Sequence, residues 1–240
     1  MNSKDKSELL TKAKSWFNEV ITINHIKNSK KLINISEFDV NPFLATYLAN
    51  FLTGNSDPIS ISKALIYPRV LGTSISTSFG TNIQKFAKDV LTAYASTTPG
   101  IDLEFTDCID NNHKYCQLKA GPNTINKDDV ETIAGHFKST INLARTNGKR
   151  ISYDDLIIGI IYGSEDEING HYKRITSQYN YPVFAGSNFW IRLTGDKHFY
   201  FDLIKAISEV AVESDFSKEL ESIIEKLATS SKIIELSKNL

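Results

Sequence analysis

Apolar positions in the first 95 residues recur at helical intervals. Leu9, Leu10, Ala13, Trp16, Phe17 and Val20 fall at three- and four-residue steps, one stripe on a helix starting near Ser3. Asn41 with Pro42 opens a second helix over about 41–53, and Asp57 with Pro58 a third over about 58–66, because both pairs combine a cap with a preset first turn. A longer helix is expected over 79–95. Thr97-Thr98-Pro99-Gly100 then breaks the pattern.

The period changes to two after that break. Ile101, Leu103 and Phe105 alternate with Asp102, Glu104 and Thr106, as on a strand with one apolar face. The polar stretch from Asp107 to His113 contains Asn111-Asn112 and reads as a hairpin turn. Lys114 to Lys119 is the return strand, with Tyr115, Gln117 and Lys119 on one face. Asn126 caps a helix whose buried side carries Val130, Ile133, Ala134, Phe137, Ile141 and Ala144, and Asn147-Gly148 ends it. Leu156 to Ile161 is an unbroken apolar run of strand length, suited to the middle of a sheet. Helices are expected at about 165–178, 200–213 and 216–238, with a short strand near 182–185. The pattern describes an α/β core inside a helical shell.

Composition adds little to this until charge is followed along the chain. The 240 residues are 41% hydrophobic and 23% charged, with 27 Lys and Arg against 28 Asp and Glu, which excludes general disorder and a uniformly basic nucleic-acid coat. Residues 1–35 nevertheless carry seven Lys against three acids, whereas 201–240 carry eight acids against five Lys. Ordinary solvated helix faces and two ends facing different surroundings both account for that asymmetry. No apolar run approaches the roughly 20 residues that cross a bilayer, and Met1 to Lys6 lack a signal-like apolar core, so a cytoplasmic setting without a membrane is expected. Cys108 and Cys116 are too few for a disulfide scaffold and are expected as reduced thiols. With His113 they suggest a metal site only loosely, since no fourth ligand stands at zinc-finger spacing.

The hairpin is where chemistry collects. Asp102 and Glu104 share a face of its first strand, Gln117 and Lys119 a face of its second, and correct pairing gathers four polar side chains. A mixed-charge exposed face is one reading. The other is a site in which Asp102 and the Gln117 oxygen hold a hard cation such as Mg2+, while Lys119 orients or helps deprotonate an attacking water.

Pro99-Gly100-Ile101-Asp102, followed after fourteen residues by Gln117-Leu118-Lys119, resembles the active-site signature of the PD-(D/E)XK nuclease superfamily, particularly its type II restriction endonucleases. Gly100 to Phe105 and Lys119-Ala120-Gly121-Pro122-Asn123 resemble the corresponding blocks, and Phe79 to Gln84 the preceding helix. The resemblance covers about residues 79–130, with weaker similarity from Leu156 to Gly163. It implies a single domain over 1–240 with a mixed central β-sheet flanked by helices: 1–95 mainly helical, 96–165 the catalytic α/β core, 166–240 mainly helical. It also implies Mg2+, a double-stranded DNA substrate and a homodimer acting at a short palindromic site.

Residue by residue, Asp102 matches the metal-binding acid, Gln117 the second ligand and Lys119 the catalytic lysine. Gln84 stands where a helix acid is usual, and Ile101 replaces the proline before the aspartate. Neutral Gln84 and Gln117 imply weaker cation binding unless Glu104 contributes. For DNA contacts the candidates are Asn123, Thr124, Asn126 and Lys127 after the catalytic lysine, and Arg145, Lys149 and Arg150 around Asn147-Gly148. Turn chemistry and capping account equally for several of these. A repair or recombination nuclease of the same superfamily, or an inactive DNA-binding relative, would carry a similar signature.

Overall fold

The computed structural model describes residues 2–213 and 215–238. Helices α1 (Ser3–Trp16), α2 (Ile23–Lys30), α3 (Pro42–Thr53), α4 (Pro58–Pro68), α5 (Ser74–Thr81) and α6 (Ile83–Asp89) come first. Strands β1 (Leu103–Thr106) and β2 (His113–Lys119) precede α7 (Lys127–Thr146) and β3 (Leu156–Ile160). Helix α8 (Gly170–Tyr179), strand β4 (Val183–Ala185), then α9 (Gly186–Thr194), α10 (Phe199–Glu213), α11 (Ser217–Ala228) and α12 (Ser231–Lys238) complete the order.

Four strands form one mixed sheet in the order β1-β2-β3-β4, with β1 antiparallel to β2 and the other pairs parallel. The architecture is the expected α/β class, with helices at both ends of the chain. Strand β3 is buried at every position, as its unbroken apolar text requires. Helix α7 connects β2 to β3, so it runs antiparallel to them, starting at the end of β2 and finishing near the start of β3. Its capping box is complete: Asn126 Oδ1 accepts from the Asp128 and Asp129 N–H groups at 2.8 and 3.1 Å, and Asp129 accepts from Asn126 N–H at 2.8 Å.

The residues group into two compact units. One comprises Met1–Trp16 and Phe79–Ser208, the other Phe17–Ser78 and Glu209–Leu240. In the first, Val130, Ile133 and Phe137 of α7 pack with Ile158 and Ile160 of β3 and Tyr172 of α8. Gly159 lets that strand meet α9 closely: a Cβ there would strike the Phe189 ring and lie 2.9 Å from Cys116 Sγ. In the second, Ile61 and Ile66 of α4 pack with Ile223 and Leu227 of α11 and Ile233 of α12.

Several expected boundaries shift for local reasons. The helix expected over 79–95 is divided at Asn82, whose backbone leaves helical geometry, and α6 ends at Asp89 before a short 3-10 turn, Thr92–Tyr94. The helix expected over 165–178 is a 3-10 turn, Glu165–Glu167, followed by α8, because the Asn169 side chain caps the His171 and Tyr172 N–H groups. The helix expected over 216–238 is α11 and α12, separated at Thr229 and Ser230. Helix α9 was not foreseen. Phe189 and Trp190 on it are buried, with Trp190 Nε1 donating to Ile161 O at 2.9 Å.

Candidate active site

Thr98 O accepts the Ile101 N–H at 3.0 Å across Pro99-Gly100, and Gly100 has φ +79°, the conformation a type II turn needs at its third residue. This turn delivers Asp102 to the edge of the sheet. Asp102 N–H donates to Cys116 O at 2.9 Å, although Cys116 is also the register partner of Leu103. Two residues of the first strand thus face one of the second, the local distortion of a bulge, which re-aims a side chain. The Asp102 carboxylate crosses to β2, where Oδ2 accepts the Leu118 N–H at 2.7 Å. Its other oxygen has no hydrogen bond among the described residues.

Gln117 and Lys119 project from one face of β2 by strand alternation. The Gln117 side chain is buried, and its Nε2 donates to Gly100 O at 2.5 Å and to His136 Nδ1 on α7 at 2.7 Å. Both partners accept, so the amide oxygen points the other way, and it has no hydrogen bond among the described residues. Lys119 is half-buried, and its charge acts favourably on the ionised Asp102.

Burial pushes the Asp102 carboxyl above its ordinary value, against the Leu118 N–H and the charges of Lys119 and Lys88. A desolvated carboxylate with an uncommitted oxygen and, on the paired strand, an oriented amide oxygen are donors of the hard-oxygen kind that suits a divalent cation. Among the described residues no group of three or more His, Cys, Asp or Glu side chains is placed to hold a metal. A cation here would therefore rest on one carboxylate, one amide oxygen and waters, a set that suits Mg2+ because it keeps several of its waters.

A family model described as type II restriction endonuclease EcoO109I matches residues 13–215. The chain belongs to this family. No curated protein matches it. As a type II restriction endonuclease it is a site-specific deoxyribonuclease, a DNA-binding hydrolase of a kind that generally uses divalent metals.

The other candidates of this restriction endonuclease divide by placement. Glu104 is committed elsewhere: Oε1 accepts from Ser96 and Thr98 hydroxyls at 2.5 and 2.8 Å, and Oε2 meets His113 at 3.2 Å. Burial raises its carboxyl, but these partners outweigh that and hold it below the ordinary glutamate range. Gln84 is exposed on α6 and has no hydrogen bond among the described residues. Lys88, one turn later on the same face, is the α6 residue whose charge reaches Asp102. Thr124 Oγ1 donates to Gly121 O at 2.8 Å and meets the Tyr172 hydroxyl at 3.2 Å, and Asn126 is the cap of α7.

Asn123 and Lys127 are exposed near the start of α7, and Arg145 in its last turn and Lys149 and Arg150 just beyond it are exposed at the other end. Arg145 stands eighteen residue steps after Lys127 on the helix, a rise of about 27 Å. The two groups therefore lie at opposite ends of α7. Lys88 and His136 are the site neighbours that sequence reasoning missed. Neither has a local signal, because each reaches the hairpin only through the packing of a helix on it.

Among the described residues no helix is long and apolar enough to cross a membrane. Cys108 is exposed and Cys116 buried, both as free thiols, and burial pushes the Cys116 thiol well up.

Proposed function

We propose that this protein is a Mg2+-dependent type II restriction endonuclease of the PD-(D/E)XK superfamily, working in the cytoplasm as a homodimer that hydrolyses both strands of a short palindromic duplex sequence. The observation that carries the reading is the meeting of a desolvated Asp102, an oriented Gln117 amide and Lys119 on two paired strands. Asp102 and Gln117 are the residues to hold the cation. When bound, such a cation acidifies water and neutralises charge on the scissile phosphate. Lys119 places an ammonium beside that phosphate, steadies the attacking water and offsets the charge that grows in the transition state. Asn123, Thr124, Asn126 and Lys127 are assigned to the duplex at one end of the sheet, and Arg145, Lys149 and Arg150 to phosphates at the other.

The homodimer reading is supported by α3. This helix has no charged residue. It packs inward through the small Ala45 and Ala49 and leaves Phe43, Leu44, Tyr47, Leu48, Phe51 and Leu52 exposed, Phe43 by 84% and Phe51 by 78%. Taking ~150–250 Å2 for each aromatic side chain, this face offers on the order of 700 Å2 of apolar surface. Two copies would bury about 1,400 Å2, the size of a stable interface between identical subunits. A two-fold protein also matches a palindrome.

The test is a Mg2+ digest of a sequenced plasmid with end mapping. Discrete fragments with common ends are expected, and Lys119→Ala should leave the plasmid intact while still binding it. Uncut DNA across a sequence-diverse set, structure-dependent nicking, or a Lys119→Ala protein that cuts like the parent would overturn the reading. Light scattering should give a dimer for the parent and a monomer for Phe43→Glu/Phe51→Glu. A parent that stays monomeric at about 50 μM, above most specific affinities, would overturn the homodimer alone.

A further inference from the structure

We propose that His136 is a positioning residue for the cation site, acting through Gln117: its Nδ1 fixes the amide so that the oxygen, rather than the NH2 group, faces the cation. The inference rests on the reading that Asp102 and Gln117 are the ligands. It concerns a residue outside the matched motif, on a different element.

An amide has two chemically opposite ends of nearly equal size, and only the oxygen is a ligand for a hard cation. A carboxylate at the same position has no such ambiguity, because either end presents oxygen. A glutamine there thus needs something to choose its orientation. In this protein two acceptors make the choice. Gly100 O lies 2.5 Å and His136 Nδ1 2.7 Å from Gln117 Nε2, which occupies both N–H groups. For Nδ1 to accept, the imidazole proton sits on Nε2.

The seat for the histidine is built into the turn before Asp102. A Cβ on Gly100 would lie 2.6 Å from His136 Cγ and 2.9 Å from its Cβ, so the absence of a side chain there lets the ring approach. The same glycine supplies the second acceptor through its carbonyl and has the positive φ that turns the chain into Asp102. His136 is otherwise exposed on α7, with its neighbours Ile133 and Phe137 buried in the core. It contributes little to packing, and its replacement should leave the fold intact.

The magnitude follows from outer-shell partners of metal ligands, whose loss generally costs about 10–100-fold in metal affinity. His136→Leu removes the acceptor and keeps an apolar body of similar bulk. His136→Asn keeps an acceptor oxygen near the position of Nδ1. Binding of Mn2+ to the DNA-free protein, read by the free-ion electron paramagnetic resonance signal at pH 8, reports the site without turnover. Expected are a loss of about tenfold or more for His136→Leu and about twofold or less for His136→Asn. In a Gln117→Glu background the His136→Leu loss should fall to about twofold or less, because a carboxylate needs no orienting partner.

Parent-like Mn2+ affinity in His136→Leu would overturn the proposal, as would equal losses in the Leu and Asn variants. Retention of the full loss in the Gln117→Glu background would also overturn it, by showing that His136 acts on the site independently of residue 117. A parent with no measurable Mn2+ binding would overturn the ligand assignment and this proposal together. The first three outcomes leave that assignment standing.

Discussion

Removing the Asp107 carboxylate should destabilise the unit that holds the site by about 3 kcal/mol, the lower end for breaking a buried ion pair. Asp107 lies in the turn between β1 and β2 and its side chain is 0% exposed. Oδ1 accepts the Ile109 N–H at 2.7 Å, and Oδ2 accepts from Arg192 Nη1 at 2.7 Å. Cys108 N–H adds a bond to Arg192 O at 2.8 Å, so the pair fastens the hairpin to α9. Asp107→Ala deletes two charge-assisted bonds of about 1.5–3 kcal/mol each and leaves the guanidinium short of its partner. The full sum is not expected. Arg192 is 17% exposed, keeps Asp110 at 3.8 Å and stacks 3.9 Å from the Phe184 ring centre.

Both tryptophans of the chain, Trp16 and Trp190, belong to this unit, so fluorescence-detected urea unfolding reports it selectively. At ~1–3 kcal/mol/M the midpoint should fall by roughly 1–3 M. A cycle with Arg192→Met tests the cause. If the unpaired cation carries the cost, the double variant is more stable than the sum of the singles predicts. A change of less than about 1 kcal/mol in Asp107→Ala, or strict additivity in the cycle, would refute the reasoning.

Three further outcomes follow from other residues. Asp102→Asn should abolish cleavage yet stabilise the metal-free protein at pH 8 by ~0.5–2 kcal/mol: burial raises this carboxyl, so its ionised form is penalised at high pH, and the gain over the parent should vanish as pH falls below 3.8. Glu104 has the opposite sign. Its folded value lies below 4.5, so its contribution is complete above that pH and is lost on acidification, and the stability gap between parent and Glu104→Gln should close as pH falls below 4.5 in urea titrations. Gly159→Ala should cost ~1–3 kcal/mol by overpacking against Phe189, and Phe189→Leu in the same chain should recover part of it by thermal denaturation.

The strands and the capped helix α7 were legible because each depends on short-range rules. Alternation placed Gln117 and Lys119 on one face, and Asn41, Asp57 and Asn126 are all helix caps, as their text requires. What escaped depends on contacts distant in sequence. The grouping of 17–78 with 209–240 joins segments more than a hundred residues apart, and neither composition nor periodicity marks it. Helix α3 reads as an ordinary apolar helix, and only its packing reveals that the small residues face inward. His136 stands nineteen residues from Gln117, and the crossover between β2 and β3 brings the two together.

Glutamine at 117, in place of the acid in the signature that the sequence resembles, also has a local logic. A glutamate at 117 with unchanged side-chain geometry would aim an anionic oxygen at Gly100 O, 2.5 Å from where Nε2 now donates. It would also stand beside an Asp102 whose ionised form is already disfavoured by burial. Two carboxylates in that space repel until a cation joins them, whereas the amide converts the contact with Gly100 into a bond and adds no charge. The identity of residue 117 is therefore coupled to the Pro99-Gly100 turn and to His136. Introducing the usual acid alone should raise cation affinity at the expense of the metal-free fold, so Gln117→Glu is better understood as an exchange of stability for affinity than as the repair of a defect.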